Sequence, residues 1–427
     1  MFIKNFDKLA STPQRKTVLT LIEEALASIQ SENVINSSIE INGDNLVIND
    51  QTFDLTNFDR IFLIGFGKGS AKNSKFIEEK LGERLTEGYV IDTNPENFSK
   101  IKFTLGTHPL PSSKNEDFTD FVIKRFKEVN LTKKDLILVV ICGGGSAMLV
   151  HPYKISLRKK IEVGKTLLES GANIIEMNTI RQHLSTVKGG GLAEILYPAT
   201  VASIIFSDVP GNNLSYIASG PTVKDNTTID DAITLLEKYN LWEKLGLSRE
   251  DFSENPKEDI YFENVFNILL LSNLTALEAM KKKAEELGIT ISIYSDKFQG
   301  LAKTVGKELI EKTMPNAILL VGGETTVKVT GNGEGGRNQE VVLGALLDID
   351  DKTIFCSFDS DGWDNSDLAG AIGDINTINK ARELNIDPQD FLNSDNSLEF
   401  FQKTGDGIET GRLPSNVSDL IIVYKYL

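Results

Sequence analysis

Short, unbroken apolar runs recur along this chain, and each leads into a turn that carries glycine or aspartate. IFLI at 61–64, LILVVI at 136–141 and VASIIF at 201–206 lack the alternation of a half-exposed strand. They read as strands covered on both faces, with helix-like segments between them, which is the βαβ pattern of a parallel sheet. A second set follows at 267–271, 289–294, 317–321 and 353–358, alternating with helical stretches at 275–287 and 300–313. Ahead of both sets, Val18, Leu21, Ile22, Ala25, Leu26 and Ile29 form the apolar stripe of an amphipathic opening helix over 14–30. The polar, turn-rich segment 241–264 is the expected boundary, and 427 residues suit two α/β domains. The predicted division is 1–245 and 265–427.

Composition removes several classes of function. A formal charge of -16 repels nucleic acid and anionic membrane, so any phosphate must be bound by local groups. Cys142 and Cys356 stand far apart in apolar runs and are expected to be reduced, buried thiols rather than a disulfide framework. His108, His151 and His183 have no zinc-ligand spacing. With no signal-peptide core and no apolar stretch near ~20 residues, a cytoplasmic protein acting on small molecules is expected.

The chemistry should lie where strands end. Open α/β sheets bind ligands beyond the carboxyl ends of their strands, where glycines let backbone N–H groups approach a phosphate. Three such turns occur: Gly65, Gly67 and Lys68 in IFLIGFGKGS; Gly143, Gly144, Gly145 and Ser146 in LILVVICGGGSA; and Gly322, Gly323, Glu324 and Thr325 in LLVGGETT. Together they point to a polyanionic ligand. Lys68 does not fit the Walker A spacing, and Ser70 replaces the third glycine of a dinucleotide fingerprint, although Asp92 stands where such a site would want an acid. Candidate cations are Arg181 and Lys188, on one face if their helix continues, and Arg337 behind Gly335 and Gly336. Asp208, Asp359, Asp361, Asp364 and Asp367 follow strands. One or two of them would suffice beside the phosphates of Mg²⁺-bound ATP, the others serving as solvated turns or helix caps. His108 is read as a turn residue or a substrate contact and His151 as structural. For His183, core and substrate roles stand equal.

Taken together, GFGKGS, GTHPLPS, CGGGSAML, NTIRQHLSTVKGGGLA, SDVPGNNLSYIASGPT, GGETTVKVTGNGEGGRNQE and SDGWDNSDLAGA resemble, in order, the glycerate 2-kinase family whose carboxyl-terminal part carries the MOFRL domain. The resemblance implies two α/β domains, the first Rossmann-like with a parallel sheet, and an active-site cleft between them. It also implies ATP- and Mg²⁺-dependent phosphorylation of D-glycerate at the 2-hydroxyl. Carried over by position, Lys68 and Arg337 become the catalytic cations and Asp208 the base or metal-linked acid. Gly65, Gly67, Gly143 to Ser146, Arg181, Lys188, Glu324, Thr325, Gly335 and Gly336 then line the nucleotide and substrate site, with Asp208 and Asp361 toward the metal. If the chain assembles, a homodimer is expected. The pattern departs from the family at Asn212, Asn213, Leu398 and Arg412. Those departures leave open a kinase for a related short hydroxy acid or a nucleotide or sugar-acid sensor. A hydroxypyruvate reductase would need the dinucleotide site.

Overall fold

The computed structural model describes residues 1–427. They form two compact units: 34–207 with 212–270, here the first unit, and 1–33 with 208–211 and 271–427, the second. No helix is long and apolar enough to cross a membrane.

In the first unit a small antiparallel sheet of β1 (Ile39–Asn42), β2 (Asn45–Ile48) and β3 (Gln51–Asp54) precedes the main one. The main sheet holds β4 (Arg60–Phe66), β5 (Glu87–Asp92), β6 (Ile101–Leu105), β7 (Asp135–Ile141), β8 (Thr200–Phe206) and β9 (Val265–Leu271), in the order β6-β5-β4-β7-β8-β9. The β4–β5, β5–β6, β4–β7 and β7–β8 pairs are parallel. Every residue of β7 is buried, as expected of a strand covered on both faces. From β4 the chain winds outward through β5 and β6, then returns to wind the other way from β7. The order reverses between β4 and β7, and the register sets Phe66 beside Ile141. Their turns therefore emerge together at the switch point, where doubly wound sheets bind ligands.

The second unit has a mixed sheet of β10 (Thr290–Phe298), β11 (Ala317–Gly323), β12 (Thr353–Asp359), β13 (Gly370–Gly373), β14 (Gly407–Ile408) and β15 (Asp419–Lys425). Its order is β10-β11-β15-β12-β13-β14. Only β10 and β11 pair in parallel, and the last strand of the chain is inserted between β11 and β12. One side of the sheet packs on Val341, Val342, Leu343 and Ala345 of helix Arg337–Ala345 and on Leu346, which caps it.

Three expectations need correction. The opening helix, Pro13–Ser28, belongs to the second unit rather than to 1–245. It buries Val18, Leu21, Ile22 and Ala25, and its Arg15 forks onto Asp374 and Asp406 at 2.7 Å each. The run at 267–271 lies in β9 of the first sheet, because an apolar run without periodicity carries no record of which sheet receives it. Segment 241–264 is not a linker: Leu241, Leu245 and Phe252 are buried, and Trp242 stacks on Phe252. The strands at 39–54 and 419–425, together with β5, β6, β13 and β14, are additions to the sequence reading.

Candidate active site

In the first unit the β4 turn and the β7 turn meet at the switch point. The Lys68 backbone N–H donates to Gly143 O at 2.7 Å, which ties the two turns together. Gly67 has φ +110°, and a Cβ there would stand 2.3 Å from Cys142 O, so this crossing admits only glycine. The side chain of Lys68 is exposed at the crossing. Gly144, φ +74°, starts the short helix Gly145–Met148, with the His108 ring packed against it. Ser146 Oγ lies 3.0 Å from Ser219 Oγ. Gly65, Gly67, Lys68 and the 143–146 turn thus form one group.

Asp92 answers the dinucleotide question. Its carboxylate accepts from Ala71 N at 3.0 Å and Thr93 N at 2.6 Å, so it sits on the first turn of helix Ser70–Leu81. A dinucleotide pyrophosphate needs that same helix N-terminus. Burial pushes the Asp92 carboxyl up while these N–H groups favour its charge.

Arg181 and Lys188 do not share a helix face. Helix Ile174–His183 stops at Leu184, and Lys188 lies in the turn before helix Gly191–Leu196. Lys188 nevertheless reaches the glycine-turn group: its buried Nζ donates to Ala218 O at 3.1 Å, next to Ser219. His183 resolves as a core residue, fully buried with Nδ1 2.8 Å from Ser253 O and Nε2 3.2 Å from Thr227 Oγ1. His151 likewise is held between Thr186 and Asp120.

The second unit builds its own group around Arg337. Helix Arg337–Ala345 begins at Gly336, which has no side chain to cap it, and Asp364 takes over. Asp364 Oδ1 accepts Asn338 N at 3.0 Å and Oδ2 accepts Gln339 N at 2.8 Å. A Cβ on Gly336 would lie 2.1 Å from Asp364 Cγ, so the cap depends on that glycine. The cap reading of Asp364 holds, and Asp367 is solvated. Asp359 departs from it by being buried.

From this helix start Arg337 forks onto Asp419, with Nε–Oδ2 at 2.6 Å and Nη2–Oδ1 at 3.1 Å, and also reaches Glu324 at 3.2 Å and Asp359 at 3.5 Å. Asp359 and Asp419 sit directly opposite each other on β12 and β15. Burial raises both carboxyls, and two charges so placed cannot be held cheaply. Asp419 takes the guanidinium fork and Asn338 Nδ2 at 2.8 Å, so it is the ionised member. Asp359, buried and facing Asp419 and Asp361, is pushed up to about 8. Burial counts against the charge of Arg337, but its carboxylate neighbours outweigh that and secure it.

Beside this group lies a cleft of about 820 Å³, lined by Thr325, Gly335, Gly336, Arg337, Asp359 and Trp363 among others. That is within the range of cofactor and ligand sites. Glu340 also lines it, pushed up to about 7 by burial, with Oε1 unpartnered. Asp361 stands one step away; its Oδ1 accepts Trp363 N at 2.9 Å and its Oδ2 accepts Asn416 Nδ2 at 3.3 Å. Asp208 follows β8, and its carbonyl accepts Ser418 Oγ at 2.7 Å. Nowhere do three or more acidic, histidine or cysteine side chains gather into a metal-holding group, so a metal at Asp208 or Asp361 would have to bring most of its ligands with it. Asp419 was missed in the sequence: in SDLIIVYK the acid precedes the apolar run, whereas the acids that were read follow theirs.

Comparison with known proteins gives a consistent result. Residues 17–250 match a domain described as being of unknown function, DUF4147, and residues 317–419 match the MOFRL family. A Pyrococcus horikoshii protein named glycerate 2-kinase is 34% identical over 96% of this chain and 96% of its own length. The chain belongs to the glycerate 2-kinase family. The crystal structure of a Thermotoga maritima glycerate kinase superposes with a TM-score of 0.84 at 29% identity, over 96% of this chain and 99% of that one. An Agrobacterium vitis relative, 34% identical over 84% of this chain and 98% of its own, is named putative hydroxypyruvate reductase. Against the glycerate 2-kinase pattern, two of the departures fall at or beside the cleft. Leu398 lines it, and Arg412 stacks 3.9 Å over the ring of Trp363, which also lines it. Asn212 adopts φ +52° with both side-chain amide atoms unpartnered, while Asn213 Oδ1 accepts Ser215 N.

Proposed function

We propose that this chain is an ATP-dependent glycerate 2-kinase, converting D-glycerate and Mg-ATP to 2-phosphoglycerate and ADP. The observation that carries the reading is Arg337, presented by a glycine-initiated helix at the wall of an 820 Å³ cleft and held charged by Asp419 and Glu324. Lys68, on the glycine crossing of the first unit, supplies a second cation. Phosphoryl transfer asks for positioning and charge stabilisation more than for covalent chemistry, and both residues are of the cationic kind that demand calls for. In this scheme the 2-hydroxyl oxygen forms the new P–O bond and the bond from the γ-phosphorus to the β-phosphate oxygen breaks. Asp208 accepts the hydroxyl proton. Mg²⁺ arrives with ATP as part of the substrate, and the carboxylates of Asp208 and Asp361 are the residues we assign to face it.

The acidic balance of the chain favours small-molecule partners over nucleic acid or anionic membrane; a cytoplasmic setting belongs to the same reading, and a homodimer is the assembly to look for by light scattering. The reductase reading is disfavoured because Asp92 already occupies the helix N-terminus that a dinucleotide would use. An ADP-release assay over short hydroxy acids, with ³¹P NMR of the product, tests the proposal. Glycerate-dependent ADP formation yielding 2-phosphoglycerate is expected. NAD(P)H oxidation with hydroxypyruvate in place of ADP formation would overturn it.

A further inference from the structure

In the first unit Lys160 and Lys188, each with a buried Nζ, stand close to the half-buried Arg181, and none of the three has a bonded carboxylate. Lys160 and Gly164 lie one turn apart on helix Leu157–Glu169, and Arg181 Nη2 packs against Gly164, 3.9 Å from where a Cβ would stand. Lys160 Nζ is buried with no hydrogen-bond partner at all. Lys188 Nζ is buried too and has a single neutral acceptor, Ala218 O. Asn178, three residues before Arg181 on helix Ile174–His183, has a buried Nδ2 that is also unpartnered. Its Oδ1 accepts from Ser219 Oγ at 2.8 Å. Ala218 and Ser219 hold φ +51° and +63°, left-handed values that non-glycine residues keep only when their surroundings impose them.

Such a cluster is unfavourable on its own. Each buried ammonium has lost its water, and the three cations repel one another. The one acidic group acting on Lys160, Glu116 on helix Ser113–Val129, does so only through space. Burial and the neighbouring Arg181 push Lys160 down to about 7, and burial with Lys160 and Arg181 pushes Lys188 well below the usual lysine range. Burial lowers Arg181 as well. Unpaired donors converging in one buried place are what an anion would satisfy, and Ser219 joins this place to Ser146 of the glycine turn.

We propose that Lys160, Arg181 and Lys188, with the Asn178 amide, form a pocket for the oxyanion of a small substrate, a carboxylate or a phosphate, and that Lys160 binds it directly. This rests on the kinase reading for the identity of the substrate: the carboxylate would be that of the hydroxy acid, the phosphate that of the nucleotide.

The test is Lys160→Met in the full chain, with KM and kcat measured for both substrates and thermal unfolding followed with and without inorganic phosphate. A KM raised ~10-fold or more for one substrate, with kcat falling much less, is expected. A rise for D-glycerate assigns the carboxylate, and a rise for Mg-ATP the phosphate. The unliganded variant should unfold no earlier than wild type, because a buried charge without a partner has been removed. Unchanged KM values for both substrates would overturn the proposal, as would earlier unfolding with binding intact. Should the variant fail to fold, the wild type decides the matter. A substrate held by protonated Lys160 binds best below about pH 7 and more weakly as pH rises through that value, so a pH-independent KM across pH 6–9 would count against the pocket. If glycerate releases no ADP, the kinase reading fails by itself. Stabilisation by inorganic phosphate, present in wild type and absent in Lys160→Met, would still establish the anion pocket.

Discussion

Replacing Arg337 by methionine tests at once the electrostatics of the second unit and the catalytic assignment. The substitution keeps much of the side-chain length but removes the charge that three carboxylates face. Asp419 is almost fully buried, with a side chain 4% exposed, and would lose both arms of its fork. Breaking a buried pair by removing one partner costs ~3–5 kcal/mol, and the partial exposure of Arg337 places this case near ~3. Glu324, more than two-fifths exposed, adds under ~1 kcal/mol. For a unit of this length ~3 kcal/mol is ~6–12 °C in Tm. The sign with pH follows from the orphaned Asp419, whose folded pKa rises above its unfolded value. Its protonated form is fully present in the folded state at low pH, and stability is lost as pH climbs through the folded pKa. Thermal unfolding of Arg337→Met by circular dichroism should therefore show a large deficit against wild type at pH 8 that shrinks toward pH 5. Turnover in an ADP-release assay should fall by ~10²-fold or more at any pH where the variant is folded. A deficit below ~1 kcal/mol, or one equal at both pH values, would refute the view that Arg337 is the counter-charge of a buried carboxylate pair. Near wild-type turnover would remove it from catalysis.

Three further outcomes are expected. Lys68→Ala, at an exposed side chain, should leave the unfolding temperature within ~1 °C of wild type while lowering kcat/KM by ~10²-fold, and a parallel loss of stability would show that the turn rather than the charge was damaged. Gly336→Ala must displace Asp364 from the helix start, so we expect loss of the cap and of an unstrained turn together, ~3 kcal/mol or more by urea unfolding, with activity lost as well; a cost under ~1 kcal/mol would contradict the contact. Asp395 is buried, which favours its neutral form, yet Lys303 and the N–H groups of Gly331 and Thr330 hold its pKa down to about 2. Its contribution is present above the ordinary aspartate range and lost as pH falls toward 2, so Asp395→Asn should flatten the decline of stability between pH 4 and 2; an unchanged slope would argue against this.

The strands with uniform apolar runs were legible because a strand buried on both faces needs only apolar residues, and β4, β7, β8, β11 and β12 carry that signature plainly. β15 was passed over because it closes the chain with no helix after it to complete a βαβ rhythm. The short strands of 39–54 mix polar and apolar residues and resemble loop. At the site, glycine turns announced Lys68 and Arg337, since close backbone approach leaves a mark in composition. Lys160 and Asn178 leave none: a lysine on an amphipathic helix and an asparagine on a helix of mixed residues look like surface residues until burial is known.

By itself the sequence determined which segments become strands and which turns need glycine, because those demands are local: burial on both faces, left-handed φ, and backbone passing within contact distance. Only the tertiary structure decided which strands lie side by side. Insertion of the last strand between β11 and β12 put Asp419 opposite Asp359, sixty positions earlier in the chain, and under Arg337, eighty-two positions earlier. The same holds where Lys160, Arg181 and Lys188 gather. Charges interact through space, and their fields and desolvation depend on neighbours that the order of residues along the chain does not specify.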